Sequence, residues 1–257
     1  MAIVGKKKGQ RKDYCLIGLS KFNLEIGKIL IQEDQSVTVI DSDPDAIDSW
    51  GPEFTNSINC DARDIRNLQD VGIADFDYVI VGIKDIEKSI TICSNLKELE
   101  VGRILARAKD EVHKRILKLL GISYSIIPEL YVVENLAYHT IFDLEVERLP
   151  CNKEEFQESD LFCARLPVYN QNLWGKPISS MIFLKENNSL ILSIKRQKGG
   201  ETIIPVSESD KLERSDTIFL IAQKNSISDL KNYFMKNVPV NLLIEESNTT
   251  NSSEPTN

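Results

Sequence analysis

The sequence predicts an α/β fold: a Rossmann-like doubly wound parallel sheet followed by a second, small α+β domain. Three observations carry that expectation. Over the first half of the chain, short apolar runs rich in β-branched residues alternate with segments of helical period, the pattern of strands buried on both faces by crossover helices. The first run ends in a glycine turn, and an aspartate stands 23 residues beyond that glycine. Past residue 160 the pattern changes to short alternating strands with a glycine-containing turn, which reads as a separate unit.

Taken in order, residues 14–18 read as a buried first strand closed by Gly18. Residues 22–33 carry Phe22, Ile26, Ile29 and Leu30 at helical spacing. A second strand over 36–40 runs into Asp41-Ser42-Asp43-Pro44. Pro44 opens a helix over 44–50, since its missing N–H would be unsatisfied there in any case. A strand over 56–60, a helix over 65–71, a strand over 78–81, a helix over 87–99 and a strand over 104–108 follow. Residues 112–120 read as a helix stopped by Gly121 in the left-handed conformation, and 125–127, before Pro128, as the sixth strand. An amphipathic helix over 130–144 reads as a crossover or as a contact between copies.

The polar, acidic run 151–159 marks the boundary, so the domains are expected at 12–145 and 158–238. The second holds strands over 162–168, 189–195, 202–205 and 217–222, a turn with a short helix over 173–180, and a final helix over 227–235. Residues 247–257, SNTTNSSEPTN, hold no apolar side chain and read as a disordered tail.

Composition narrows the function classes. A chain of 257 residues with 42% hydrophobic and 27% charged residues is an ordinary globular protein. A net charge of -8 argues against nucleic acid as a partner. No apolar stretch reaches the roughly 18 residues needed to cross a bilayer, and no secretory core follows the basic start. The five cysteines, at 15, 60, 93, 151 and 163, lack metal-ligand spacing and read as free thiols of a reducing compartment. His113 and His139 are the two histidines, too far apart in sequence to begin a histidine-rich metal site.

The chemistry concentrates at Gly18-Leu19-Ser20-Lys21-Phe22-Asn23. In a dinucleotide fingerprint, G-x-G-x-x-G, the first glycine makes the turn, the second admits the pyrophosphate and the third lets helix and strand pack closely. Here Ser20 and Asn23 stand in place of the second and third. Ser20 preserves a close approach, whereas Asn23 is bulkier and is expected to push the helix outward. Lys21 is read either as a point charge for phosphate or as a solvated surface lysine. Asp41 is placed to accept both ribose hydroxyls and to repel a 2′-phosphate, or, more simply, to open a turn with Asp43 and Pro44. Asp61, Gly82 and Arg107 lie on the crevice edge of the sheet, Arg107 reaching towards phosphate or a subunit contact. There is no Walker lysine, no HExxH and no nucleophile elbow. An enzyme is therefore not expected, a small NAD-dependent oxidoreductase being the alternative.

These residues resemble a known family. The runs YCLIGLSKFNLEIGKILIQEDQSVTVIDSDPDAI, NCDARDIRNLQDVGIADFDYVIVGIKD and ILARAKDEVHKRILKLLGISYSIIPE look like the RCK (regulator of potassium conductance) domain. They are most similar to the peripheral subunit of bacterial Ktr/Trk potassium-uptake systems. The stretch from about 161 to 223 resembles that family's small C-terminal ligand-binding domain. The resemblance implies a cytoplasmic regulatory subunit that self-associates as dimers into an octameric ring. It implies attachment to the inner face of the membrane through a membrane-embedded potassium-translocating partner, and control by ATP/ADP or NAD(H). It aligns Gly18, Ser20 and Asn23 with the phosphate-loop glycines, Lys21 with a basic residue at the terminal phosphates, Asp41 with the ribose acid, and Asp61 with Ala62 near the base. It places Glu129 at a divalent-cation or phosphate contact across the dimer. It also implies a cyclic di-AMP site at Ile178, Ile182, Asn187 and Asn188. A structural ring subunit with a vestigial cleft is the further alternative.

Overall fold

In the computed structural model, residues 11–122, 124–149 and 160–236 are described. The chain divides after Leu130 into two compact units.

The first unit is a six-stranded parallel sheet with the order β3-β2-β1-β4-β5-β6. Its strands are β1 (Asp13–Ile17), β2 (Ser36–Asp41), β3 (Asn56–Asn59), β4 (Tyr78–Val81), β5 (Ile104–Arg107) and β6 (Tyr124–Ile126). Helices α1 (Lys21–Gln32), α2 (Pro44–Trp50), α3 (Ile65–Asp70), α4 (Ile86–Glu98) and α5 (Glu111–Leu119) fill the crossovers. The central strands are apolar because both faces are covered: Leu16, Val37 and Val39 pack with Phe54 on one side, Ile17, Ile40 and Val81 with Ile92 and Leu96 on the other. The strand order reverses between β1 and β4, and ligands of such sheets bind at that switch point beyond the carboxyl ends of the strands.

The helix starts follow a rule readable in the sequence. Asp43, Asp64, Asp85 and Asp110 cap α2, α3, α4 and α5 by accepting a backbone N–H of the first turn, each satisfying an otherwise orphaned donor. Gly121 follows α5 with φ +77, the left-handed stop expected of it.

Helix α6 (Pro128–Phe142) spans the division between the units. The sequence reading closes the first domain at 145, whereas the packing divides the chain inside this helix. The reason is aromatic: Tyr138 and Phe142 lie against Phe162, with ring centroids 4.8 and 6.0 Å away.

The second unit is a five-stranded sheet ordered β10-β9-β11-β8-β7. It comprises β7 (Glu145–Arg148), β8 (Leu161–Pro167), β9 (Leu190–Lys195), β10 (Thr202–Ile203) and β11 (Thr217–Gln223), all antiparallel. Helix α7 (Ile182–Glu186) and helix α8 (Ile227–Met235) complete it. Alternate residues of β8 and β11 are buried, so Phe162, Leu166, Ile218 and Leu220 meet Leu230 and Phe234 in one core. β7 and α7 are absent from the sequence expectation. β7 is charged and buries Val146 alone, while α7 has too few residues to show a period. The predicted tail at 247–257 and the boundary run 151–159 lie outside the described residues.

Candidate functional site: the crevice at the sheet switch point

β1 ends in a turn that only glycine makes without strain: Gly18 has φ +90, and a Cβ there would stand 2.5 Å from Ile83 Cδ1. Its N–H donates to Ile40 O at 2.8 Å, joining the turn to β2. Beyond it Ser20 begins α1, and its hydroxyl, instead of capping the helix, donates to Gly82 O at 2.8 Å. Among α1 to α5, α1 therefore alone opens without a side-chain cap, and no acid lies in its first turn. Uncapped amides and the positive end of the helix dipole make that terminus hospitable to an anion.

Asp41, at the end of β2, faces this loop. Its Oδ2 accepts the Leu19 N–H at 2.6 Å and its Oδ1 the Asp43 N–H at 2.9 Å. A carboxylate offers about four lone-pair directions, so each oxygen retains acceptor capacity. Both sequence readings of Asp41, turn opener and ribose acceptor, are thus compatible with one geometry. Asp43 is exposed, its Oδ1 accepting from Asp45 N at 3.0 Å as the cap of α2.

Asp61 follows β3 and is clamped by Arg63, with Nε–Oδ1 at 2.9 Å and Nη2–Oδ2 at 2.6 Å. The Arg63 side chain, then its backbone amide, hold the Asp61 carboxyl down at about 2. Gly18, Asp41, Asp61 and buried Ala62 line one cavity of about 40 Å³, together with Cys60, Arg63, Ile83 and Lys88. Sequence reasoning missed Arg63 and Lys88. The D-x-R spacing was a legible cue for the first; Lys88 arrives from α4 and had none.

On the other side of the switch point, Arg107 at the end of β5 is 7% exposed. Its Nη2 is paired with Glu129 Oε1, and its guanidinium lies 5.6 Å from the Phe22 ring centroid. Glu129's own backbone amide and then Arg107 hold the Glu129 carboxyl below its ordinary range. Lys21 is exposed.

Asn23 corrects one expectation. Rather than pushing α1 away, it is fully buried, and its Nδ2 donates to Ile17 O at 3.0 Å and Gly18 O at 2.8 Å. Gly82 makes the room: a Cβ there would lie 2.4 to 2.5 Å from Asn23 side-chain atoms.

The four second-unit residues lie on α7 and the turns beside it. Asn187 closes α7, donating to Phe183 O at 2.9 Å, and Asn188 follows at φ +46. Ile182 is exposed and Ile178 half-buried against the core. Among the described residues no group of three or more His, Cys, Asp and Glu side chains comes together as a metal site. Among them, too, no helix is long and apolar enough to cross a membrane.

The fold is of the Rossmann-like class, with an acid at the end of β2 and an uncapped α1 at its switch point. Family comparison sharpens this. The TrkA-N domain model matches residues 14–128 and the TrkA-C domain model residues 164–235. The chain is 33% identical over 224 residues to the uncharacterized protein MG323 of Mycoplasma genitalium, covering 87% of this chain and 96% of that one. It is 26% identical over 219 residues to the Ktr system potassium uptake protein C of Bacillus subtilis, covering 85% and 95%. Among solved structures, the GsuK channel superposes with TM-score 0.60 at 17% identity, and the GsuK channel bound to NAD with 0.56 at 16%. Each likeness covers 90% of this chain but 40% of the channel chain, and shows the fold. The chain belongs to the family built from TrkA-N and TrkA-C (RCK) domains, homologous to the Ktr potassium-uptake proteins.

Proposed function

We propose that the chain is a regulatory subunit of a potassium-uptake system, controlled by an adenine nucleotide without a 2′-phosphate, ATP/ADP or NAD(H), in the first unit's crevice. The observation that carries this is the Asp41 carboxylate at the end of β2, facing the loop into an α1 that lacks a side-chain cap. A ribose needs an acceptor at the first place and a phosphate needs amides at the second. The Ktr relatives supply the transport context, and the GsuK structure with NAD supports a nucleotide in this fold.

On this reading the protein catalyses nothing. Copies pair as dimers within an octameric ring on the inner face of the membrane, against a membrane-embedded potassium-translocating subunit. The nucleotide acts by preferring one ring state, and it shifts the equilibrium only by its differential affinity for the two.

A second reading, a ring subunit with a vestigial crevice, is favoured by one observation. The cavity is about 40 Å³ and the Ser20 hydroxyl and both Asp41 oxygens are already bonded within the chain. Calorimetry on nucleotide-stripped protein with ATP, ADP and NADH, with and without magnesium, separates the two. We expect binding that Asp41→Ala weakens about tenfold or more, the worth of a charge-assisted hydrogen-bond pair. No binding by the wild type establishes the vestigial crevice. The magnesium arm tests Glu129 as a cation contact between copies. Adding cyclic di-AMP tests the second unit, where Ile178, Ile182, Asn187 and Asn188 are its proposed contacts.

A further inference from the structure

The Gly18–Leu19 peptide is held at both ends. Its carbonyl accepts from Asn23 Nδ2 at 2.8 Å, and its N–H donates to Asp41 Oδ2 at 2.6 Å. A peptide unit is planar, with its C=O and N–H pointing in opposite directions. Whatever fixes the carbonyl therefore aims the amide. Asn23 is connected to Asp41 through this single rigid unit, although the two side chains do not bond to each other.

The surroundings show that Asn23 is built in. It is fully buried, and besides Gly18 O it reaches Ile17 O at 3.0 Å and Ile80 O at 3.4 Å. Three carbonyls converge on its amide nitrogen, so donor character is needed there; a carboxylate of the same shape would meet them with repulsion. Its Oδ1 is buried without a partner among the described residues, a cost to folding that a small apolar side chain would avoid. The space exists because residue 82 has no Cβ.

We propose that Asn23 is a positioning residue for the ribose site: it aims Asp41 through the Gly18–Leu19 peptide, as a hydrogen-bonded brace that depends on Gly82. The proposal rests on the nucleotide reading above and deepens it. The ligand feature it serves is the vicinal diol of a ribonucleotide, which needs the Asp41 oxygens held in one orientation. In place of the close packing a glycine gives at position 23, this chain has a brace that fixes the loop before a ligand arrives.

The test uses the full chain and the variants Asn23→Gly, Asn23→Asp, Gly82→Ala and the Asn23→Gly/Gly82→Ala double. ADP and 2′,3′-dideoxy-ADP are titrated into each by calorimetry, and exchange of the Leu19 amide proton is followed without ligand. Wild type is expected to prefer ADP about tenfold or more, the worth of the charge-assisted hydrogen-bond pair that the two ribose hydroxyls would make. Asn23→Gly should bring that preference close to one while dideoxy-ADP affinity holds, and Leu19 should exchange faster.

A brace with only a structural role would weaken both ligands alike; an unchanged ratio in Asn23→Gly overturns the ribose role alone. Binding of neither ligand by wild type overturns it together with the nucleotide reading. The brace has its own readout, should a single variant fold poorly. Gly82→Ala and Asn23→Asp should each lower the melting temperature, and adding Asn23→Gly should relieve the first loss. Additive losses in the double variant, or Leu19 exchange unchanged in Asn23→Gly, overturn the brace.

Discussion

The two sheets of this protein solve the same burial problem in opposite ways. In the parallel sheet the central strands β1, β2, β4 and β5 bury most of their residues, and glycine or charged residues stand at their carboxyl ends. There Gly18, Asp41, Gly82 and Arg107 stand on one edge. In the antiparallel sheet, β8 and β11 alternate buried residues with half-buried ones, up to exposed Gln223 at the end of β11. A polar residue at a strand end of the first sheet is an exception that asks for a reason. Along the second sheet polar residues such as Glu145, Arg165, Thr217 and Gln223 recur among the less buried positions. Position therefore identifies a site in one unit and carries almost no such information in the other.

The largest effect expected from a single change tests the core side of that contrast. Phe162 is fully buried at the start of β8, with Tyr138 and Phe142 set against its ring. Phe162→Ala should cost about 3–5 kcal/mol of stability, the usual loss for a buried aromatic truncated in a core. Urea unfolding of the full chain measures it. A loss below about 1 kcal/mol would break the comparison, because the alternating face would then not be what holds the second sheet together.

Gly18→Ala sharpens the edge side of it. The new Cβ would meet the end of the Ile83 side chain, which is able to move, so most of the penalty is the backbone at φ +90. A cost of about 1–2 kcal/mol follows from placing an L-residue there, with weaker nucleotide binding as the loop shifts. Matched unfolding curves and titrations should show both. An alanine variant that is as stable as wild type would mean the turn is not fixed by sterics.

This contrast also explains what was legible. Six strands and their order of appearance could be read because apolar runs, helical spacing, Pro44 and the glycine stops all agreed in the first half. Asp41 could be placed because strand length and the distance from Gly18 were both visible. Asn23 could not: its size suggested displacement, and only its distant neighbour Gly82, 59 residues later by sequence, makes the space that reverses the conclusion. Lys88 was missed for the same reason, since helix rotation decides whether it meets the cavity. β7 was missed because a charged edge strand looks like a loop until its partner β8 is known.

The smallest effect concerns Asp61, and it asks whether an acid on the functional edge is there for the fold or for a ligand. Its carboxyl is held at about 2 by the Arg63 side chain and backbone amide. A depressed native value means that the unfolded chain binds the proton first. The contribution is thus complete above the ordinary value of 3.8 and is lost as pH falls through about 2. The pair is largely open to solvent, with side chains 50% and 40% exposed, so Asp61→Asn should lower stability at neutral pH by less than the ~1 kcal/mol ceiling of exposed pairs. It should also flatten the acid limb of the stability curve below the ordinary carboxyl range. NMR titration of the Asp61 carboxyl reads the value directly; a midpoint near 3.8 would mean the Arg63 clamp does not persist in solution. If Asp61→Asn leaves stability almost untouched yet changes adenine-nucleotide affinity, the acid serves the crevice, as its place on the first sheet's edge suggests. If neither changes, it is an ordinary solvated pair, and the rule that a polar strand end of the parallel sheet marks a site fails at this residue.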